Sequence, residues 1–182
     1  MSLSCGPVCA LAPRASSPAG REGRHRPASV ADELAARHHG HDPGGGGRGN
    51  TTDILEGLLA ERVESVLLGN FVDAAAAARF HAAGVGATVR VTLNEHCADA
   101  FGRAVPIEAT VLALSKGLVV GRRGIYAGRS VDLGLAAAVR VGGLTMVVCS
   151  RRIQCADPVF FETFGLDIGN YATRSEEHTS EL

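Results

Sequence analysis

The chain has 182 residues, a formal net charge of −1, and 46% hydrophobic residues. That length suits one globular domain with a real core, and the near-neutral charge argues against the basic footprint of a nucleic-acid binder. Its five cysteines are irregularly spaced, no apolar run approaches the roughly 18 residues of a membrane span, and residues 1–30 lack the continuous apolar stretch of a signal peptide. Neither a disulfide framework nor a membrane anchor is therefore expected, and a reducing cytoplasm is the simplest home.

Residues 1–30 are rich in Pro, Ser, Arg and Gly and show neither helical nor strand periodicity, so residues 1–40 are expected to be a disordered or mistranslated extension. Cys5 and Cys9 there have no second pair beside them and read as incidental thiols. "VADELAARHHGH" can add a short helix. His38, His39, His41 and Asp42 are ligand-type residues, but they lie in a flexible segment with no second shell, which gives adventitious metal affinity rather than a site.

The glycine run that follows fits the phosphate-loop template from Gly44 to Thr51 except at Asn50, which stands where the lysine is needed. A neutral amide cannot replace that charge, and no strand precedes the loop, so a nucleotide is not the expected ligand. Asn50, Thr51, Thr52 and Asp53 offer N-caps to a helix that carries Ile54, Leu55, Leu58, Leu59 and Val63 on one face. The loop glycines expose amide donors, and the positive end of this helix points toward them, so the loop can hold an anionic group such as a carboxylate.

"ESVLLGNFV" reads as a buried strand, and "DAAAAARFHAAG" as a helix capped by Asp73 and stopped by Gly84. "GATVRVTL" alternates as a half-buried strand. "VPIEATVLAL" and "LVVG" flank Ser115, Lys116 and Gly117, which predicts a hairpin. "LAAAVRV" and "LTMVVCS" are separated only by Gly142 and Gly143, the spacing of a two-residue turn. "DPVFFETFG" has Asp157 as cap, Pro158 at the first helical position and Gly165 as stop. The fold class is an α/β (α+β) sandwich with a mixed, largely antiparallel sheet and flanking helices, in two or three layers.

Among the remaining chemistry-bearing residues, His81 reads as a helix-surface or boundary histidine and Cys149 as an inert core thiol. The arginines of Ser150–Arg152 read as pairing with Asp157 or Glu162.

The phrases "DPGGGGRGNTTDILEGLL", "HAAGVGATVRVTL", "GIYAGRSVDLG" and "AAVRVGGLTMVVCSRRIQCADPVFFETFGLD" together resemble the C-terminal domain of the microcystinase C (MlrC) family of metallopeptidases, over residues 41–173. His41 and Asp42 stand in the places of that family's Asp-Asn pair. "LNEH" stands where the family reads Gly-Gly-Lys-His, so that His96 alone carries over. The resemblance implies a zinc-dependent hydrolase that cleaves peptide or amide bonds in small or cyclic peptides, with its metal ligands in a larger N-terminal catalytic domain.

By that resemblance this chain is an accessory domain, incomplete for catalysis alone, whose partner is the missing N-terminal domain. Zinc belongs to the parent enzyme, and neither a catalytic nor a metal-ligating residue is assigned here. The loop expected to face substrate or interface comprises Asp42, Gly44, Gly45, Gly46, Asn50, Thr51 and Thr52, together with His96. "RSEEHTSEL", residues 174–182, resembles a translated sequencing adapter that truncates the domain. The alternative class is a free-standing anion-binding module using the Gly44–Thr52 loop.

Overall fold

The structure, a computed structural model, describes residues 9–11, 49–96 and 102–171. Its elements in chain order are β1 (Cys9–Leu11), α1 (Asp53–Ala60), β2 (Val66–Val72), α2 (Ala74–Ala83), β3 (Thr88–Leu93), β4 (Val105–Ser115), β5 (Leu118–Val120), β6 (Ser130–Asp132), β7 (Ala136–Val141), β8 (Leu144–Cys149) and α3 (Val159–Glu162). Five strands form a mixed sheet in the order β2-β8-β7-β4-β3, and β1 adds antiparallel to the free edge of β2. The β2–β8 pair is parallel, and the rest of the sheet is antiparallel. The short β1 lies in a segment whose sequence shows no strand periodicity. No helix among the described residues is long and apolar enough to cross a membrane.

The sheet is buried on both faces, which makes this a three-layer sandwich. Phe71, Val91, Ile107, Val139 and Met146 face α1 and α2, meeting Leu55, Leu58, Ala77 and Phe80. Leu67, Ala138 and Val147 face the other way, against Val159, Phe160 and Phe161 of α3 and against Val119 and Val131 of the β5–β6 hairpin. Along β8, Met146 and Val148 join the first core while Val147 and Cys149 join the second. That is why "LTMVVC" is almost unbroken in its apolarity: a strand covered on both faces has no polar side to show.

Most elements follow the local signals. Asp73 caps α2 by accepting from the Ala76 N–H at 2.9 Å, β7 and β8 are joined by Gly142-Gly143, and Asp157 Oδ1 accepts from the Val159 N–H at 3.0 Å where α3 begins.

The β4–β5 hairpin does not form. β4 instead pairs with β3 over Val105–Thr110 and with β7 over Thr110–Ser115, while β5 pairs with β6 in a separate two-stranded sheet. The chain leaves the main sheet at Gly117, whose carbonyl accepts from the Leu133 N–H at 2.9 Å. A Cβ on Gly117 would overlap the Gly134 carbonyl, so glycine permits this crossing. Once crossed, the hairpin buries Val119 and Val131 under α3, an area that pairing with β4 would leave in water.

Candidate functional site

β2 and β8 run parallel, and the helices that follow them go to opposite faces, α2 to the first core and α3 to the second. In an open α/β sheet such a switch point opens a crevice beyond the carboxyl ends of the strands, where ligands bind. Here the two ends are tied by the Asp73 N–H, which donates to the Cys149 carbonyl at 3.0 Å. The last residues of the glycine segment arrive beside them, because the Val72 N–H donates to the Gly49 carbonyl at 2.8 Å.

Four further contacts build a compact polar cluster at this corner. The Asn94 N–H donates to Asp73 Oδ2 at 2.9 Å, and the Asn94 side chain donates to the Asn50 carbonyl at 2.6 Å. The Arg103 N–H donates to the Thr52 hydroxyl at 2.8 Å, and its guanidinium reaches Glu56 at 2.6 Å. Asn94 holds a positive φ of 56°, a conformation that asparagine tolerates better than most residues. Gly102 passes so close that a Cβ would sit 2.7 Å from both the Asn50 carbonyl oxygen and the Asn94 side-chain nitrogen.

Of the N-caps offered by Asn50, Thr51, Thr52 and Asp53, the structure uses Thr52. Thr52 occupies the N-cap position but makes no side-chain cap bond; its fully buried hydroxyl serves the 102–103 segment instead. That leaves the first turn to Asp53 and Glu56, whose carboxylates use the positive helix end themselves. Of the nominated loop, Asp42, Gly44, Gly45 and Gly46 lie outside the described residues, as do His38, His39 and His41. His96 is exposed in the turn after β3. It is Asn94, two residues earlier, that reaches the loop.

Sequence reasoning missed Asn70. It sits at a bulge in β2 with φ 49°, fully buried, and neither atom of its amide has a hydrogen-bond partner among the described residues. An asparagine inside an otherwise apolar strand was the available signal, because buried polar groups are normally satisfied.

The arginine pairing is also redrawn. Arg151 pairs with Asp132 at 2.5 Å, and Glu162 is met by Arg122 at 2.7 Å and Arg123 at 3.8 Å. Asp157 is buried and takes its bonds from backbone: Oδ2 accepts from the Arg122 and Arg123 N–H groups at 2.6 and 2.8 Å. Burial pushes its carboxyl up, but the N–H donors of Val159, Arg123 and Arg122, helped by the Arg123 charge, outweigh that and hold it below the ordinary carboxylate value. Asp157 is thus a pin between the 121–129 loop and α3. His81 is half-buried with Nε2 3.1 Å from the Ala136 carbonyl, and the buried Cys149 thiol donates to the Arg151 carbonyl at 3.2 Å. An open groove of about 440 Å3 lies along β3 and β4, lined by Arg79, Arg90, Thr92, Pro106 and Glu108 among others, and none of the nominated residues that the structure describes lines it.

The family described as the MlrC C-terminus matches residues 38–173. No curated protein matches the chain. Among solved structures, a protein of Mesorhizobium sp. BNC1 described as a candidate metallopeptidase is similar to it with a TM-score of 0.59 and 23% identity, over 70% of this chain and 26% of that one. The chain therefore spans about a quarter of that protein's length.

Proposed function

This chain belongs to the MlrC C-terminus family, and from that premise we propose that it is the C-terminal accessory domain of a zinc-dependent metallopeptidase or amide hydrolase, acting on small or cyclic peptides and incomplete for catalysis alone. The observation that carries the reading is the family match over residues 38–173. The neighbour's fold supports it, since the shared part leaves about three-quarters of that protein to supply the chemistry.

Among the described residues no group of three or more His, Cys, Asp or Glu is placed to hold a metal ion. A zinc ion does not fit these residues. On this proposal the chain contributes a rigid platform. The Asp73–Asn94–Asn50 tie fixes where the glycine segment enters. Asp42, Gly44, Gly45, Gly46, Asn50, Thr51, Thr52 and His96 then shape one side of a substrate cleft in the cytoplasm. A free-standing anion site on the same loop is disfavoured, because Asp53 and Glu56 already carry negative charge into the first turn of α1.

The test is a long-read sequence of the source locus through both ends of the coding region. An in-frame upstream domain with clustered His, Asp and Glu is the expected result. A reading frame that starts at Met1, with no such domain encoded nearby, overturns the hydrolase reading.

A further inference from the structure

The β5–β6 hairpin keeps one face in water. Val119 and Val131 turn inward to the second core, so strand alternation turns Leu118 and Val120 outward. They are 73% and 60% exposed, and Ile125 at the hairpin tip is 58% exposed. A single exposed leucine needs no explanation, but several large apolar side chains on one short excursion do. Lys116, Arg122, Arg123 and Arg129 are exposed around them. Arg122 and Arg123 share Glu162, whereas Lys116 and Arg129 make no ion pair with the described residues.

Strand register places this hairpin. Ser115 pairs with Ala136, Ala136 with Cys149, and Cys149 with Val72, whose N–H reaches the Gly49 carbonyl. These five residues form one row across the sheet, and the hairpin is the chain between Ser115 and Ala136. The base of the hairpin therefore rises from the same margin that receives the glycine segment, four strand spacings or about 19 Å away. On the accessory-domain reading, the remainder of the protein precedes this domain and enters through that segment.

Resting on the accessory-domain reading above, we propose that the outer face of the β5–β6 hairpin, centred on Leu118 and Val120, is the surface that seats on the larger N-terminal portion of the hydrolase. The matching surface there is an apolar patch bordered by carboxylates. Its apolar centre complements Leu118, Val120 and Ile125, and its border takes up the unpaired charges of Lys116 and Arg129. The size of the Mesorhizobium protein, only 26% of which is matched, shows how much chain is available to cover this face in a protein of that kind.

The experiment introduces Leu118→Cys, Val120→Cys and, as an exposed control on the α2–β3 turn, Val85→Cys. Each is made in the 182-residue chain and in the full-length protein recovered from the source locus. Alkylation by N-ethylmaleimide is read site by site by peptide mass spectrometry, which separates the new thiols from the five native ones. Positions 118 and 120 are expected to react at least about tenfold more slowly in the full-length protein, with position 85 within about twofold in both. Equal reactivity at 118 and 120 in the two proteins overturns the docking surface and leaves the accessory-domain reading standing. Protection that grows with concentration in the 182-residue chain alone assigns the face to a second copy and also overturns it. If the locus encodes no upstream domain, the accessory-domain reading fails and this inference falls with it.

Discussion

Asp73 and Asn94 are joined by a 2.9 Å hydrogen bond, although the strands they terminate, β2 and β3, stand at opposite ends of the five-strand sheet. A flat sheet would hold them far beyond the four lateral strand spacings of about 19 Å, because Val72 lies in the row of Ser115 whereas Leu93 pairs with Val105 at the other end of β4. The sheet does not lie flat: β4 gives its first half to β3 and its second half to β7, with a register shift between Val111 and Ala113, and Val91 and Leu93 of β3 share one core with Ala76, Ala77 and Phe80 of α2. One carboxylate thus caps a helix and stops a distant strand.

Asp73→Ala removes both bonds. The lost cap costs about 1 kcal/mol, and the unpaired Asn94 N–H adds about 1–2 kcal/mol. Urea unfolding is expected to show a total loss of about 2–3 kcal/mol. A loss under about 0.5 kcal/mol would show that the tie contributes nothing.

The Asn94 corner depends on both a side chain and an absence of one. Asn94→Ala gives up the bond to the Asn50 carbonyl and strains φ 56°, for a cost of about 2 kcal/mol. Asn94→Gly relaxes the backbone and should cost less. Gly102→Ala pushes a methyl into the Asn50 carbonyl and is expected to cost about 1–3 kcal/mol. Thermal denaturation of the three variants in parallel checks the order; a Gly102→Ala protein as stable as the parent sequence would refute the close approach.

At Asn70 a substitution should help. Replacing it by glycine removes an unsatisfied buried amide and relieves φ 49°, gains that outweigh the added chain entropy and leave the protein about 1 kcal/mol more stable. A destabilised Asn70→Gly protein in chemical denaturation contradicts the orphaned state of this amide.

Asp157 sets an acid limit. Its folded-state carboxyl lies below the unfolded value of about 3.9, so its contribution is present above that pH and is lost as pH falls through the folded-state value. Asp157→Asn should therefore be less stable than the unchanged protein near neutrality, and the gap should close as acid protonates the aspartate. Urea midpoints of the two proteins across that pH range provide the measurement; a gap that does not narrow in acid argues against the ionised pin.

What the sequence determined by itself is local. The apolar run of β2, the Asp73 and Gly84 limits of α2, the alternation in β3 and the two-glycine turn between β7 and β8 are all written within a few residues of where they act. The resemblance to the family, confirmed over residues 38–173, rests on such phrases as well. The tertiary structure decided the choice of partners. β5 lies beside β4 in the chain but pairs with β6, because only there can Val119 and Val131 reach the core under α3. Thr52 has a cap's chemistry, yet its hydroxyl goes to Arg103, and Arg151 finds Asp132 rather than Asp157. Caps and periodicity depend on neighbours a turn away, whereas partners are set by which distant groups the packed sheet brings within reach.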